Sequence, residues 1–165
     1  MNYFAYGSNM SLARLKNRVP SAQRLGIFYL EAHDLRFHKA SKDGSAKCDA
    51  FYTGDDCRIY GCLFDIAEEE KALLDQYEGL GIGYAEKQVQ LLNDKQESIP
   101  AFTYCALLVN ELLLPYDWYL QHVLVGAKEA QLPESYICRL ESINTWEDPL
   151  AERAQKERAI HRQPS

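Results

Sequence analysis

Three short stretches of this 165-residue chain carry groups that could do chemistry. The first is the opening, MNYFAYGSNM, where an aromatic, strand-like run stops at Gly7-Ser8-Asn9. A strand that ends this way can leave successive N–H groups unpaired and pointing outward. Such a nest binds an anion or a developing oxyanion. Ser8 is alternatively a nucleophile, a role that needs an adjacent base, and no histidine is placed by the sequence to serve. The stretch also reads as a plain strand-to-helix turn in which Ser8 or Asn9 caps a helix through MSLARLKNR.

The second stretch is LLDQYEGLGIGY. Glu78 falls at the C-terminal end of an amphipathic helix, where the helix dipole disfavours negative charge. A carboxylate there is either solvated and idle or shielded and fit for proton transfer near neutrality. Asp75 and Glu86 compete with it for that role. The third stretch is PYDWYLQHVLVGAKE. Tyr116 and Tyr119 lie three apart near the start of a helix, as core residues with a wet hydroxyl or as hydrogen-bonding groups lining a pocket. Arg14, Arg36 and Lys39 are candidates to meet an acidic ligand.

The surrounding elements must position these groups. NYFAYG suits a strand. RLGIFYLEAHDLRFHKAS reads as one or two strands, and KCDAFYT with CRIYGCLFDI as a hairpin about the turn GDD. AEEEKALLDQYEGL predicts a helix ending near Gly79, with acids in its first turn. YAEKQVQLL and PAFTYCALLV are strands on either side of NDKQES. Helices follow Pro115 and Pro133, the latter a proline suited to the first turn. Strands outnumber helices and several are hairpin-connected. The expected class is α+β, with a mixed or antiparallel, barrel-like sheet.

Composition narrows the function classes. A net charge of −6 argues against nucleic acid as the main partner, because neutralising phosphates needs clustered Lys and Arg. No apolar run approaches the ~20 residues that span a bilayer. The first residues lack the features of a secretory signal, so a cytoplasmic location is expected. Five cysteines with no CxxC pair read as reduced thiols. His33, His38, His122 and His161 are scattered and match no metal-ligand spacing, so no metal is expected.

Occurring together in one order, the three stretches resemble the gamma-glutamylcyclotransferase family. YFAYGSNM resembles its N-terminal YGSN signature. LLDQYEG is similar to its acidic motif, with Glu78 on the catalytic glutamate. WYLQHVLVGAKEAQLPESYICRLESI is similar to its C-terminal segment, with Tyr119 on the ligand-contacting tyrosine. The resemblance runs from Tyr3 to about Ile143. It implies a small mixed β-barrel with flanking helices over residues 1–146, followed by a polar tail, 147–165, that forms a charged helix or frays.

The implied reaction needs no cofactor. The α-amine of a small γ-glutamyl substrate attacks its own γ-carbonyl and releases 5-oxoproline together with an amino acid or amine. Glu78 is the implied catalytic residue. Tyr3, Phe4, Ala5, Tyr6, Gly7, Ser8, Asn9 and Tyr119 are the implied substrate-binding residues. A homodimer is left open as the oligomeric state. Two alternatives stand beside this reading: a γ-glutamyl-binding module of the same fold without turnover, and an amidohydrolase using Cys or Ser, for which no partnered His is evident.

Overall fold

The computed structural model describes residues 1–162. Five strands close into a barrel in the order β1 (Asn2–Ala5), β5 (Arg58–Asp65), β2 (Gln23–Glu31), β6 (Tyr84–Leu92) and β7 (Ser98–Ala106). The ring closes through one parallel contact, Tyr3 beside Phe102, while the other barrel pairings are antiparallel. β3 (His33–Ala40) and β4 (Ala46–Tyr52) form a separate two-stranded sheet. The architecture is the expected α+β fold on a mixed barrel.

β1 is short and buried on both faces, so it lacks the polar alternation of a half-exposed strand. Its Phe4 packs with Phe64, Leu63 and Leu91 in the fully enclosed core. Burying a side chain of that size contributes about 2–3 kcal/mol. β6 does alternate: Val89 and Leu91 point inward between exposed residues. α1 (Leu12–Arg18) and α3 (Asp117–Glu129) cover the end of the barrel where β1 stops.

Two local expectations are corrected. β4 and β5 do not form a hairpin. β4 pairs with β3 from His33–Tyr52 to Ala40–Ala46, and β5 pairs with β1 and β2. Ala32, held at φ 59°, turns the chain out of the barrel after β2. Its carbonyl accepts from the amides of Thr53 and Gly54, so the GDD segment is the return path to the barrel. The cap of α1 is also different. Ser8–Met10 form one 3₁₀ turn, and Ser11 Oγ accepts from the Arg14 amide as the cap.

α2 (Lys71–Glu78) stops where expected. Gly79 takes the left-handed conformation, φ 65°, and its amide closes back on the helix. α4 (Glu134–Glu141) follows Pro133, and α5 (Ala151–Ala159) lies within the polar tail, whose residues 163–165 fall outside the described residues. α5 docks through buried Ala154 and through Glu157, which accepts from Arg14 at 2.7 Å and meets His122 Nε2 at 2.9 Å. Burial pushes His122 down to about 4. Burial alone would raise Glu157, but the hydrogen bond from His122 and the charge of Arg14 hold it down, at about 2. Neutral His122 therefore donates from Nε2 to the carboxylate.

Two measurements follow from this packing. Gly126 of α3 lies against the 3₁₀ turn so closely that a Cβ would sit 2.4 Å from the Met10 carbonyl carbon. Gly126→Ala must push that turn away from α3. It is expected to cost about 1–3 kcal/mol by urea denaturation, the usual range for overpacking. The second concerns acid. His122 is ordinarily protonated below 6.5 and Glu157 below 4.5, so the unfolded chain binds protons in that range that the native state refuses. Stability is expected to fall steadily as pH drops from 6.5 toward 2. Glu157→Ala, which leaves Arg14 buried and unpaired, is expected to lower stability at pH 7 by about 3 kcal/mol.

Candidate active site

β1 ends at Ala5, and the chain turns at once into the Ser8–Met10 3₁₀ turn. That turn uses only the amides of Met10 and Ser11, which bond to the carbonyls of Gly7 and Ser8. Among the described residues the amides of Gly7, Ser8 and Asn9 have no protein acceptor. Three neighbouring N–H dipoles are thus left free where the strand stops. Gly7 permits the close packing behind them, because a Cβ there would come 3.0 Å from Cys48 Cβ and 3.4 Å from the Tyr119 hydroxyl.

Glu78 faces these amides. Both line one concavity, about 310 Å³ of space that includes its open mouth, together with Tyr3, Tyr6, Cys48, Tyr84, Tyr104 and Tyr119. Asn9 joins the two sides. Its Nδ2 donates to Glu78 Oε1 at 2.8 Å and to the Tyr3 hydroxyl at 3.0 Å. Arg18 braces the pair from α1, donating to Asn9 Oδ1 at 3.2 Å and to Glu78 Oε1 at 3.3 Å. Its guanidinium lies over the Tyr77 ring at 5.0 Å. Oε2 of Glu78 has no hydrogen bond among the described residues, so one carboxylate oxygen is anchored and the other is available.

The remaining walls are phenols. Tyr119 accepts from the Cys48 amide at 3.0 Å. Tyr84 donates to the Cys48 carbonyl at 2.7 Å. Together they clamp β4 between α3 and β6. Tyr6 donates to the Tyr104 carbonyl, and Tyr104 donates to Asp75 at 2.6 Å. Burial raises the pKa of Tyr3, Tyr6, Tyr84, Tyr104 and Tyr119, so all five stay neutral hydrogen-bonding groups. Burial likewise pushes the Cys48 thiol up to about 12, which makes it a poor nucleophile. Glu78 is the one carboxylate among the lining residues.

The other candidates from the sequence fall elsewhere. Phe4 and Ala5 are buried in the core and do not line the concavity. Asp75 is held by Lys71 and Tyr104, and Glu86 is paired with Lys71 at 2.7 Å. Arg14 is committed to Glu157, and Arg36 lies over the Phe51 ring at 3.9 Å. Tyr116 donates to the Asp43 carbonyl, away from the cleft. The histidines are engaged with partners other than Ser8, among them His38 with Asp49 and His33 with Lys87. Among the described residues no cluster of His, Cys, Asp and Glu side chains could hold a metal ion. Among the described residues no helix is long and apolar enough to cross a membrane.

Four contributors were not singled out from the sequence: Arg18, Cys48, Tyr84 and Tyr104. The two tyrosines stand on β6 and β7, where period-2 spacing offered the clue. Arg18 sits in the last turn of α1, a usual place for a cation, and nothing local pairs it with an acid sixty residues on.

Comparison with known proteins supports the likeness already seen in the three stretches. A curated bovine protein named gamma-glutamylcyclotransferase is 27% identical over 146 residues, covering 86% of this chain and 77% of that one. Its human counterpart is 28% identical over 147 residues with the same coverage. A solved structure titled gamma-glutamyl cyclotransferase superposes with a TM-score of 0.86 at 23% identity, covering 99% of both chains, which shows a shared fold. Residues 58–140, half of the sequence, match the model of the AIG2-like family. The chain belongs to the AIG2-like family, and its relatives and its barrel are those that its YGSN turn and central glutamate resembled.

Proposed function

We propose that this protein is a gamma-glutamyl cyclotransferase and that the cleft between the Gly7–Asn9 amides and Glu78 is its active site. The observation that carries the reading is the Asn9–Glu78 hydrogen bond of 2.8 Å, which puts a carboxylate and three unpaired amides into one concavity. The names of the bovine and human relatives support the same activity.

The reaction suits a site without an activated side-chain nucleophile, because the substrate supplies its own. The cleft folds the γ-glutamyl group so that the α-nitrogen meets the γ-carbonyl carbon. Fixing two reacting groups in this way is worth up to about 7–11 kcal/mol of the barrier. Glu78 Oε2 takes a proton from the α-ammonium, and the freed amine attacks the carbonyl. A C–N bond forms and the carbonyl π electrons move to oxygen, where the amides of Gly7, Ser8 and Asn9 stabilise the anion. When the oxyanion collapses, the old C–N bond breaks and Glu78 returns its proton to the leaving nitrogen. A second proton travels from the ring nitrogen to the leaving amine by the same relay. The products are the neutral lactam ring of 5-oxoproline and an amino acid or amine carrying an ammonium group.

The neighbours of Glu78 then have defined parts. Asn9 and Arg18 anchor Oε1 and aim Oε2 into the cleft. Tyr119 offers its hydroxyl proton to a substrate oxygen. The neutral tyrosine walls exclude water without competing for protons.

Glu78→Gln keeps the shape and the acceptor for Asn9 but cannot carry a proton. It is expected to reduce 5-oxoproline release by about 10²–10⁴-fold, the usual share of a general acid–base group. Its thermal midpoint should stay near that of the wild type. Near-wild-type turnover in a folded Glu78→Gln protein would show that the base lies elsewhere. Arg18→Met should lower kcat by about tenfold or more, through loss of a charge-assisted contact that positions Glu78, with Arg18→Lys restoring part of it.

A further inference from the structure

A second concavity opens beside the first and shares Glu78 with it. It encloses about 910 Å³ of space that includes its open mouth, and Lys39, Lys42, Tyr77, Ile82, Gly83 and Leu108 are among its walls. Lys39 is the feature that the proposed acid–base mechanism leaves unused. The residue is only 8% exposed, with its ammonium still in contact with solvent through the concavity, and that ammonium has no salt bridge and no hydrogen-bond acceptor among the described residues. The Tyr84 ring, 4.8 Å away, and the C-terminal end of α2 offer partial negative charge. Neither supplies a full counter-charge. Burial lowers the Lys39 pKa, and the nearby Glu78 charge opposes that shift. An ammonium on a mostly enclosed side chain, without a direct partner and open to the concavity, is placed to take an anionic group from it.

We infer that Lys39 is a specificity-determining residue: its ammonium receives the carboxylate of the leaving amino acid, which occupies this second concavity during the reaction. The inference rests on the cyclotransferase reading and adds to it a site for the departing half of the substrate. Its geometry is consistent. The shared wall is Glu78, the group that must reach the leaving nitrogen at the junction of the two halves. The γ-glutamyl part lies on the amide side, so the leaving part must extend to the other side of that carboxylate. There it meets the Lys39 ammonium, with a second from exposed Lys42. The remaining contacts are largely apolar, from Ile82, Leu108 and the Tyr77 ring, which suits an uncharged side chain. Gly83 keeps the floor open, since a Cβ there would approach Lys39 Nζ to 3.0 Å.

The test compares two substrates that differ only in the carboxylate: γ-glutamyl-leucine and γ-glutamyl-3-methylbutylamide. The wild-type protein is expected to release 5-oxoproline from both, with kcat/KM higher for the leucine compound by about tenfold or more, the range of a charge-assisted hydrogen bond. The gain should appear chiefly in KM. Lys39→Met keeps the buried stem and removes the charge, and the ratio of the two kcat/KM values is expected to fall toward one. Lys39→Arg should keep a ratio well above one.

Equal efficiency of the wild type on both compounds overturns the inference and leaves the cyclotransferase reading standing. A ratio unchanged in Lys39→Met also overturns it, because Lys39 would then serve the glutamyl half or the fold alone. Should Lys39→Met fail to fold, the wild-type ratio decides by itself. No 5-oxoproline from either compound, or from any γ-glutamyl amino acid tried, removes the cyclotransferase reading and this inference with it.

Discussion

The hydrogen bond from Asn9 Nδ2 to Glu78 Oε1 joins the two halves of the cleft, and the arrangement around it depends on that contact. One end belongs to the turn that closes β1, the other to the last residue of α2. Each end is unfavourable alone. Unpaired amides in a partly buried turn lack acceptors, and a carboxylate at a helix C-terminus faces the negative end of the dipole. Bringing them together lets Asn9 and Arg18 stabilise the carboxylate while the amides remain open to a ligand. The barrel is the frame for this meeting, because β1 pairs with β5 on one side and touches β7 on the other.

The chemistry of the walls supports a division of labour. Five buried tyrosines and a buried cysteine could all titrate in principle, and burial holds each of them neutral. Glu78 is therefore the one lining side chain left for the proton transfers of the proposed reaction. The tyrosines still organise the site through their oxygens: Tyr119 and Tyr84 grip the two backbone groups of Cys48 and so dock the outer β3–β4 sheet against the barrel. That sheet also carries Lys39 to the edge of the cleft, so one docking interaction shapes both concavities.

Much of this was legible in the sequence, for physical reasons. The end of α2 at Gly79 needed only the preference of glycine for positive φ, and the stop after β1 was visible as a change of residue type. The α+β class with a barrel-like sheet followed from the pattern of strands and turns, while the mixed barrel with flanking helices was what the family resemblance implied. What was not legible was long-range. The short turn at Gly54 suggested that β4 and β5 pair with each other, but register in a barrel is set by partners far along the chain. The cap of α1 is Ser11 rather than Ser8 or Asn9, because Ser8–Met10 are taken up in a 3₁₀ turn packed against α3. α5 looked like a solvated helix since one small apolar residue, Ala154, and one acid, Glu157, carry its docking. Arg18 was hidden in the same way, as a charge whose partner is distant in sequence.

The most direct examination of the central claim is a crystal structure of the Glu78→Gln protein with an intact γ-glutamyl amino acid bound. The expected result is a γ-carbonyl oxygen about 3 Å from amides of the Gly7–Asn9 turn. The α-nitrogen should lie within hydrogen-bond reach of the side chain at position 78, about 2.6–3.2 Å. A substrate seated outside this cleft, or one whose α-nitrogen points away from position 78 with the amides unoccupied, would contradict it.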